Sequence, residues 1–207
     1  MGQAKPGHER LRELLPAFEQ PEVWVRFPRQ LGDVIFSIPF FCALQRSWNA
    51  VAKAQGKRIR WVAVGHAIGA AIFSEAHPDF IAESVIEGGQ AQKPDPWALV
   101  RRWRKRPPVA FINLSQSARL AFAAWLARVP IRAGDTNNHL HFLYHHTFTY
   151  RDLPIHIVRR FEPLLAQLTG SSRLAWAPML PAQFGGQGGF DLLREAGWKG
   201  GPFVTLS

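Results

Sequence analysis

The sequence has 207 residues, 47% of them hydrophobic, with a formal net charge of +10 and a pI near 10.8. That apolar share supports a substantial core and excludes a wholly disordered chain, while the charge favours polyanionic partners: nucleic acid, acidic lipid headgroups or phosphorylated substrates. A lone cysteine, Cys42, excludes an intrachain disulfide and a cysteine-built metal cluster.

The opening residues "MGQAKPGHERLRELLPAF" have no signal-peptide hydrophobic region, and no Ser or Thr completes a myristoylation pattern after Gly2. The longest apolar run, 34–44, contains Ser37 and Pro39 and falls well short of the ~20 residues a bilayer span needs. A soluble, cytoplasmic chain is expected. Residues 8–18 read as a helix, with Leu11, Leu14, Leu15 and Phe18 at helical spacing. "EVWVRF" (22–27) reads as a buried strand and 34–54 as a helix with Pro39 near its start. "RIRWVAVG" (58–65) is a second strand, 67–76 a short helix, and "IAESVIEGG" (81–89) a third strand and turn. Helix-start prolines open 94–106. "PPVAFINLSQ" (107–116) is a further strand, 117–129 a helix, 130–135 a short strand, and 154–170 a helix stopped by Gly170.

Uninterrupted apolar strands alternating with amphipathic helices predict an α/β fold, a Rossmann-like parallel sheet covered by helices on both faces. Residues 1–20 are expected to form an N-terminal helical extension and 21–170 the Rossmann-like domain. Residues 171–189 resemble a linker, rich in Gly, Pro and Ser. Residues 190–207 read as the start of a second domain that the chain does not complete. In parallel sheets ligands bind outside the carboxyl ends of the strands. The loop Arg29–Asp33 follows the first strand at such an end and delivers Asp33. A carboxylate there has two readings, which are not exclusive. It can cap the helix, worth about 1 kcal/mol, or act as a base. Gly32 reads as a turn residue needing positive φ.

The pattern Arg26, Leu31, Gly32, Asp33, Val34 and Pro39 (Arg-x4-Leu-Gly-Asp-Val-x4-Pro) resembles the N-terminal signature of the lipopolysaccharide heptosyltransferases, inverting GT-B glycosyltransferases. "FINLSQSARLAFAAWLARVPIRAGD" is similar to that family's later strand, its Ser/Arg-bearing helix and its Arg-x-Gly strand. "HIVRRF" (156–161) resembles its His-x-x-x-Arg-Tyr/Phe helix, and "PFVTLS" the strand opening its C-terminal, donor-binding domain. The resemblance runs from about residue 22 to 207. It implies the N-terminal, acceptor-binding half of a GT-B enzyme that transfers heptose from ADP-heptose to the lipopolysaccharide core. Asp33 would be the general base, deprotonating the acceptor hydroxyl as it attacks the anomeric carbon opposite the leaving diphosphate. The donor-binding half being the one that grips the nucleotide sugar, this chain alone is expected to turn over little. No cofactor beyond the ADP-heptose donor is implied.

Five of the six residues from Arg101 to Arg106 are basic, with Trp97 and Trp103 interleaved. They form either a solvated helix face or a docking surface for phosphorylated lipid A and an anionic inner-membrane surface, with Arg101 and Arg102 as acceptor contacts. Arg26 and Arg119 are further candidates for acceptor phosphate or carboxylate, or else ordinary arginines. "HLHFLYHH" (139–146) holds four of the eight histidines. His141 and His145 have a spacing that could hold zinc on a helix, but no acidic or cysteine ligand lies near in sequence, and no metal site is expected. The resemblance puts this segment beside the acceptor cleft, which makes His139 a candidate contact and His156 a second. No glycine-rich phosphate-binding motif follows any strand, and the basic residues lack a groove-reading or base-stacking motif, so nucleic acid is not the expected partner.

Overall fold

The computed structural model describes residues 5–28, 31–65, 83–86, 95–149 and 159–173. Six strands run in one parallel sheet: β1 (Glu22–Arg26), β2 (Arg60–Gly65), β3 (Glu83–Ile86), β4 (Ala110–Asn113), β5 (Ile131–Asp135) and β6 (His146–Phe148). Their spatial order is β3-β2-β1-β4-β5-β6. The chain builds outward from β1 on one side, then returns to β4 and builds outward on the other. This is the doubly wound order, with its topological switch point between β1 and β4.

The described helices are α1 (Gly7–Leu14), α2 (Leu31–Lys53), α3 (Pro96–Lys105), α4 (Ala118–Leu126) and α5 (Glu162–Thr169). Alternation along the strands sorts them into two layers. Val23, Val25, Ile112 and Ala133 point to one face and pack with Leu11, Ile38, Phe41, Trp48 and Leu164 from α1, α2 and α5. Trp24, Val62 and Phe111 point to the other and pack with Val100 and Trp103 of α3 and Leu120 and Ala124 of α4. The Trp103 ring meets Trp24 edge-on at 5.4 Å. Helices thus cover both faces, as the uninterrupted apolar strands require.

Leu11 and Leu15 of the N-terminal segment are fully buried in the first of these cores. α1 lies so close to α5 that a Cβ on Gly7 would stand 2.9 Å from the Leu168 Cα. Trp48 Nε1 donates to the Leu168 carbonyl at 3.0 Å and ties α2 to α5. Asp95 caps α3, its Oδ1 accepting from the Trp97 N–H at 2.9 Å. Gly170, in the left-handed region at φ 76°, ends α5 where the sequence predicts a stop.

Two helix starts, those of α2 and α5, differ from the sequence reading. α2 starts at Leu31, before rather than after Gly32-Asp33, and carries the buried Pro39 inside it. The segment 139–146 is not a helix. It is a turn, a 3-10 turn at His141–Leu143 and the lead into β6, so His141 and His145 share no helix face. α5 begins at Glu162, after a turn at 159–161. The predicted helix at 67–76 and the segments beyond 173 lie outside the described residues. Among the described residues no helix is long and apolar enough to cross a membrane.

Candidate active site at the topological switch point

β1 and β4 end side by side, with Arg26 opposite Asn113 in the register. Both point to the α3/α4 face and both are buried. Two polar side chains at the ends of apolar strands need partners, because a buried unsatisfied group costs about 1–3 kcal/mol. Asn113 makes four hydrogen bonds. Its Nδ2 donates to the Tyr144 hydroxyl at 2.7 Å and to the Ser117 carbonyl at 3.1 Å. Its Oδ1 accepts from the Ser115 N–H at 3.1 Å and the Ser115 hydroxyl at 2.8 Å. Ser115 in turn accepts from Arg26 Nη1. Asn138 Nδ2 donates to the Tyr144 hydroxyl at 3.2 Å. The network therefore links β1, β4, the start of α4 and the turns after β5.

Tyr144 packs flat over Gly134 of β5. A Cβ on that glycine would sit 2.5 Å from the ring's Cε2 and Cζ, so only glycine leaves room. Burial pushes the Tyr144 phenol well above its usual range, with the amide donors from Asn113 and Asn138 acting in the opposite direction. Tyr144 is thus a neutral phenol at physiological pH.

Across the sheet edge, on the α2/α5 side, stands Asp33. It is the third residue of α2 and its side chain is 29% exposed. Its Oδ1 accepts from Arg160 Nη1 at 2.9 Å. Arg160 precedes α5, is 5% exposed, and lies with its guanidinium 4.5 Å from the centre of the Phe161 ring. Asp33 lies inside the first turn of α2, and its Oδ1 is engaged by an arginine from a distant part of the chain. The α2 N-terminus still favours a negative charge there.

Gly32 needs a different explanation from the one its sequence position suggests. It does not adopt positive φ, and a Cβ would meet only the Phe36 ring, at 3.9 Å. Neither turn geometry nor packing demands glycine. The residue is exposed in the first turn of α2, next to Asp33, where it leaves the helix N-terminus open.

The other expected site residues separate by topology. α4 follows β4, so exposed Arg119 in its first turn stands at the carboxyl edge of the sheet, and so does exposed His139 in the turn after β5. α3 runs the opposite way to the strands, and its basic residues descend from that edge. The Arg101 guanidinium lies 3.6 Å from the Asp95 carboxylate. Arg102 sits over the Trp24 ring at 4.6 Å, midway along β1. Arg106 reaches Glu22, at the far end of β1, at 3.0 Å. Arg101 and Arg102 are therefore not gathered with Asp33, as their place on α3 requires. His156 lies outside the described residues.

Three histidines of this segment, His141, His145 and His146, serve the fold. His141 Nδ1 is 3.1 Å from the Asn138 carbonyl, and His145 Nδ1 accepts from the Arg132 N–H at 3.2 Å. Burial, with nearby Arg10 adding to it, lowers both His145 and His146 to about 4, so both are neutral at pH 7. Among the described residues no cluster of three His, Cys, Asp or Glu could hold a metal ion.

Sequence reasoning singled out Asp33, Arg26 and Arg119 but assigned no role to Asn113, Ser115, Asn138, Tyr144 or Arg160. One local signal existed: the strand "AFIN" ends in a polar amide whose side chain the strand ladder itself does not satisfy. The partners come from 31 and 6 residues away for Tyr144, and 127 for Asp33 and Arg160.

Parallel doubly wound sheets with a polar constellation at the switch point form a broad class of ligand-binding and catalytic domains. No family model matches the sequence, and no curated protein matches it. Solved structures do share the fold. One is that of the Escherichia coli ADP-heptose LPS heptosyltransferase II, at 19% identity and a TM-score of 0.53, over 78% of this chain and 44% of that one. Another is a glycosyl transferase family 9 protein from Veillonella parvula, at 19% identity and a TM-score of 0.55, over 74% of this chain and 43% of that one. The likeness is one of fold, and the chain spans less than half the length of either protein.

Proposed function

We propose that this chain is the N-terminal, acceptor-binding half of an inverting glycosyltransferase that moves heptose from ADP-heptose to the lipopolysaccharide inner core. The observation that carries the proposal is Asp33: a partly exposed carboxylate at the switch-point edge, held by buried Arg160 at 2.9 Å. The Arg26–Pro39 motif and the shared fold point the same way.

In this reading the acceptor hydroxyl lies against Asp33 and attacks the anomeric carbon from the face opposite the ADP leaving group. The proton passes to the carboxylate as the new C–O bond forms and the C–O bond to diphosphate breaks, which inverts the anomeric centre. A single step of this kind takes one positioned base. Arg160 engages Oδ1 and orients the carboxylate. Oδ2, which bonds to no described residue, takes the proton. Arg119 and His139, exposed at the same edge, bind anionic and hydroxyl groups of the acceptor, and Arg26 organises the wall behind them through Ser115. Arg101 and Arg102 contact phosphates of the lipid A part, farther from the reacting carbon. The nucleotide of the donor is gripped mainly by the C-terminal, donor-binding half of such an enzyme, and the protein works at the inner face of the inner membrane.

The test is ADP release from ADP-heptose in the presence of a lipid A–based inner-core acceptor, by the complete product of the encoding gene. Asp33→Asn is expected to lower kcat by orders of magnitude with acceptor affinity little changed. Near-normal turnover in that variant would remove Asp33 from the chemistry. Absence of turnover with any heptose donor would remove the assigned substrate.

A further inference from the structure

The outer surface of the α3/α4 layer combines two features. Four large apolar side chains are exposed among the described residues: Trp97 (55%), Phe122 (37%), Trp125 (46%) and Phe142 (69%). All four lie on or beside this one layer. Trp97 opens α3, Phe122 and Trp125 lie on α4, and Phe142 sits in the 3-10 turn that packs against α4. On α4 the inward stripe is Leu120, Ala121, Ala123 and Ala124, and the outward stripe is Arg119, Phe122 and Trp125, spaced three apart. Phe122 and Trp125 touch each other, with ring centres 5.8 Å apart.

The second feature is charge. Between residues 95 and 129 there are seven arginines and lysines and one carboxylate, Asp95. Arg101, Arg104, Lys105, Arg119 and Arg128 are all exposed around the aromatic group. A stable surface rarely leaves two tryptophans and two phenylalanines in water within one layer unless something covers them.

We propose that this face docks on an anionic lipid bilayer. Phe122, Trp125 and Phe142 enter the headgroup–acyl boundary, and the arginines and lysines around them rest on the acidic headgroups. The combination of aromatic side chains with surrounding cations is what an interfacial surface needs: apolar area for the boundary and positive charge for the lipid phosphates. The alternatives fit less well. A second copy of the same face would bring cations against cations. A nucleic acid needs free aromatic faces along a groove, whereas Phe122 and Trp125 cover part of each other on the convex outside of a helix.

The placement matters for the site. The N-terminus of α4 lies at the carboxyl edge of the sheet, so lipid docking by this face leaves that edge open to a lipid-borne acceptor, with Asp33 on the opposite, α2/α5 layer. That orientation rests on the proposed function, because it presupposes a lipid-borne acceptor. Lipid binding itself does not rest on it, and is measured without any sugar transfer.

The test is co-sedimentation of the full chain with phosphatidylcholine vesicles, with and without phosphatidylglycerol. Binding is expected with phosphatidylglycerol and is expected to weaken with added salt. The double variant Phe122→Ser/Trp125→Ser should lower the partition coefficient about tenfold or more, the equivalent of burying one aromatic side chain. Phe142→Ser, in a separate element, should lower it independently, and Lys105→Gln about fivefold on anionic vesicles alone. The substituted side chains are exposed, so unchanged thermal midpoints serve as the folding control. Failure of the parent chain to bind anionic vesicles would overturn the proposal, as would equal binding by parent and aromatic variants. A dimer that the double variant abolishes would assign the face to a second copy instead. Any of these results would leave the role of Asp33 in sugar transfer untouched.

Discussion

Gly134→Ala is the most informative single perturbation of the candidate site. The added methyl would lie 2.5 Å from two carbons of the Tyr144 ring, against the 3.5–4.0 Å at which carbon atoms normally rest. The ring cannot slide aside cheaply, because its hydroxyl is bonded to Asn113 and Asn138. Overpacking of a tight core costs about 1–3 kcal/mol and each lost hydrogen bond about 1 kcal/mol. A total destabilisation of about 3–4 kcal/mol is expected. Gly32→Ala makes the control: the same chemical change meets only Phe36 at 3.9 Å and adds helix propensity, so stability should hold or rise by up to about 1 kcal/mol. Urea unfolding of both variants measures the difference. A double-mutant cycle with Tyr144→Ala should show that most of the Gly134→Ala penalty vanishes once the ring is gone. If Gly134→Ala is as stable as the parent, or costs the same with and without Tyr144, the wedge between β5 and Tyr144 is not what holds this wall of the site.

Arg160→Met should free the Asp33 side chain, lowering kcat at least about tenfold while leaving the acceptor dissociation constant within about twofold; equal losses in both would assign Arg160 to acceptor binding instead. His145 and His146 titrate at about 4 in the fold against about 6.5 in an unfolded chain, so the unfolded state binds more protons between those values. Stability is therefore full above pH 6.5 and falls as the pH drops toward 4, with a slope of up to about 2.7 kcal/mol per pH unit for the two groups together. Chemical denaturation from pH 7 to 4.5 should show that fall, and His146→Gln should flatten it; an unchanged slope would mean these histidines do not control acid stability. At the other end of β1, Glu22 accepts from Arg60 at 2.7 Å, Arg106 at 3.0 Å and Trp24 Nε1 at 2.9 Å. Glu22→Ala should cost about 2–3 kcal/mol in urea unfolding, chiefly through the orphaned buried indole N–H, since both arginines can turn to water. A loss under about 0.5 kcal/mol would show that the indole finds another acceptor.

The elements that could be read locally were those whose pattern is local. "EVWVRF", "RIRWVAVG" and "PPVAFINLSQ" are apolar without alternation because helices cover both faces, and the structure places strands in all three. Asp95, Pro96 and the spacing of Val100 and Trp103 announce α3. β6 was not legible: "HTF" is too short and too polar to announce a strand, and it exists because β5 offers it an edge. The start of α2 was misplaced because Gly32 suggests a turn, yet Leu31, Gly32 and Asp33 adopt helix under tertiary constraint.

The candidate site divides the same way. Sequence alone set the alternating order of strands and helices, the basic balance, and a carboxylate directly after the first strand, since these depend on neighbours a few residues apart. Tertiary structure decided which groups meet. Asp33 finds Arg160 across 127 positions, Asn113 finds Tyr144 across 31, and Gly134 makes room for the ring. It also turned Phe122 and Trp125 outward, where helical spacing alone leaves open which stripe of α4 faces the core. Such pairings follow from how strands order themselves in the sheet and how helices fall on its two faces, and no short window of residues encodes that.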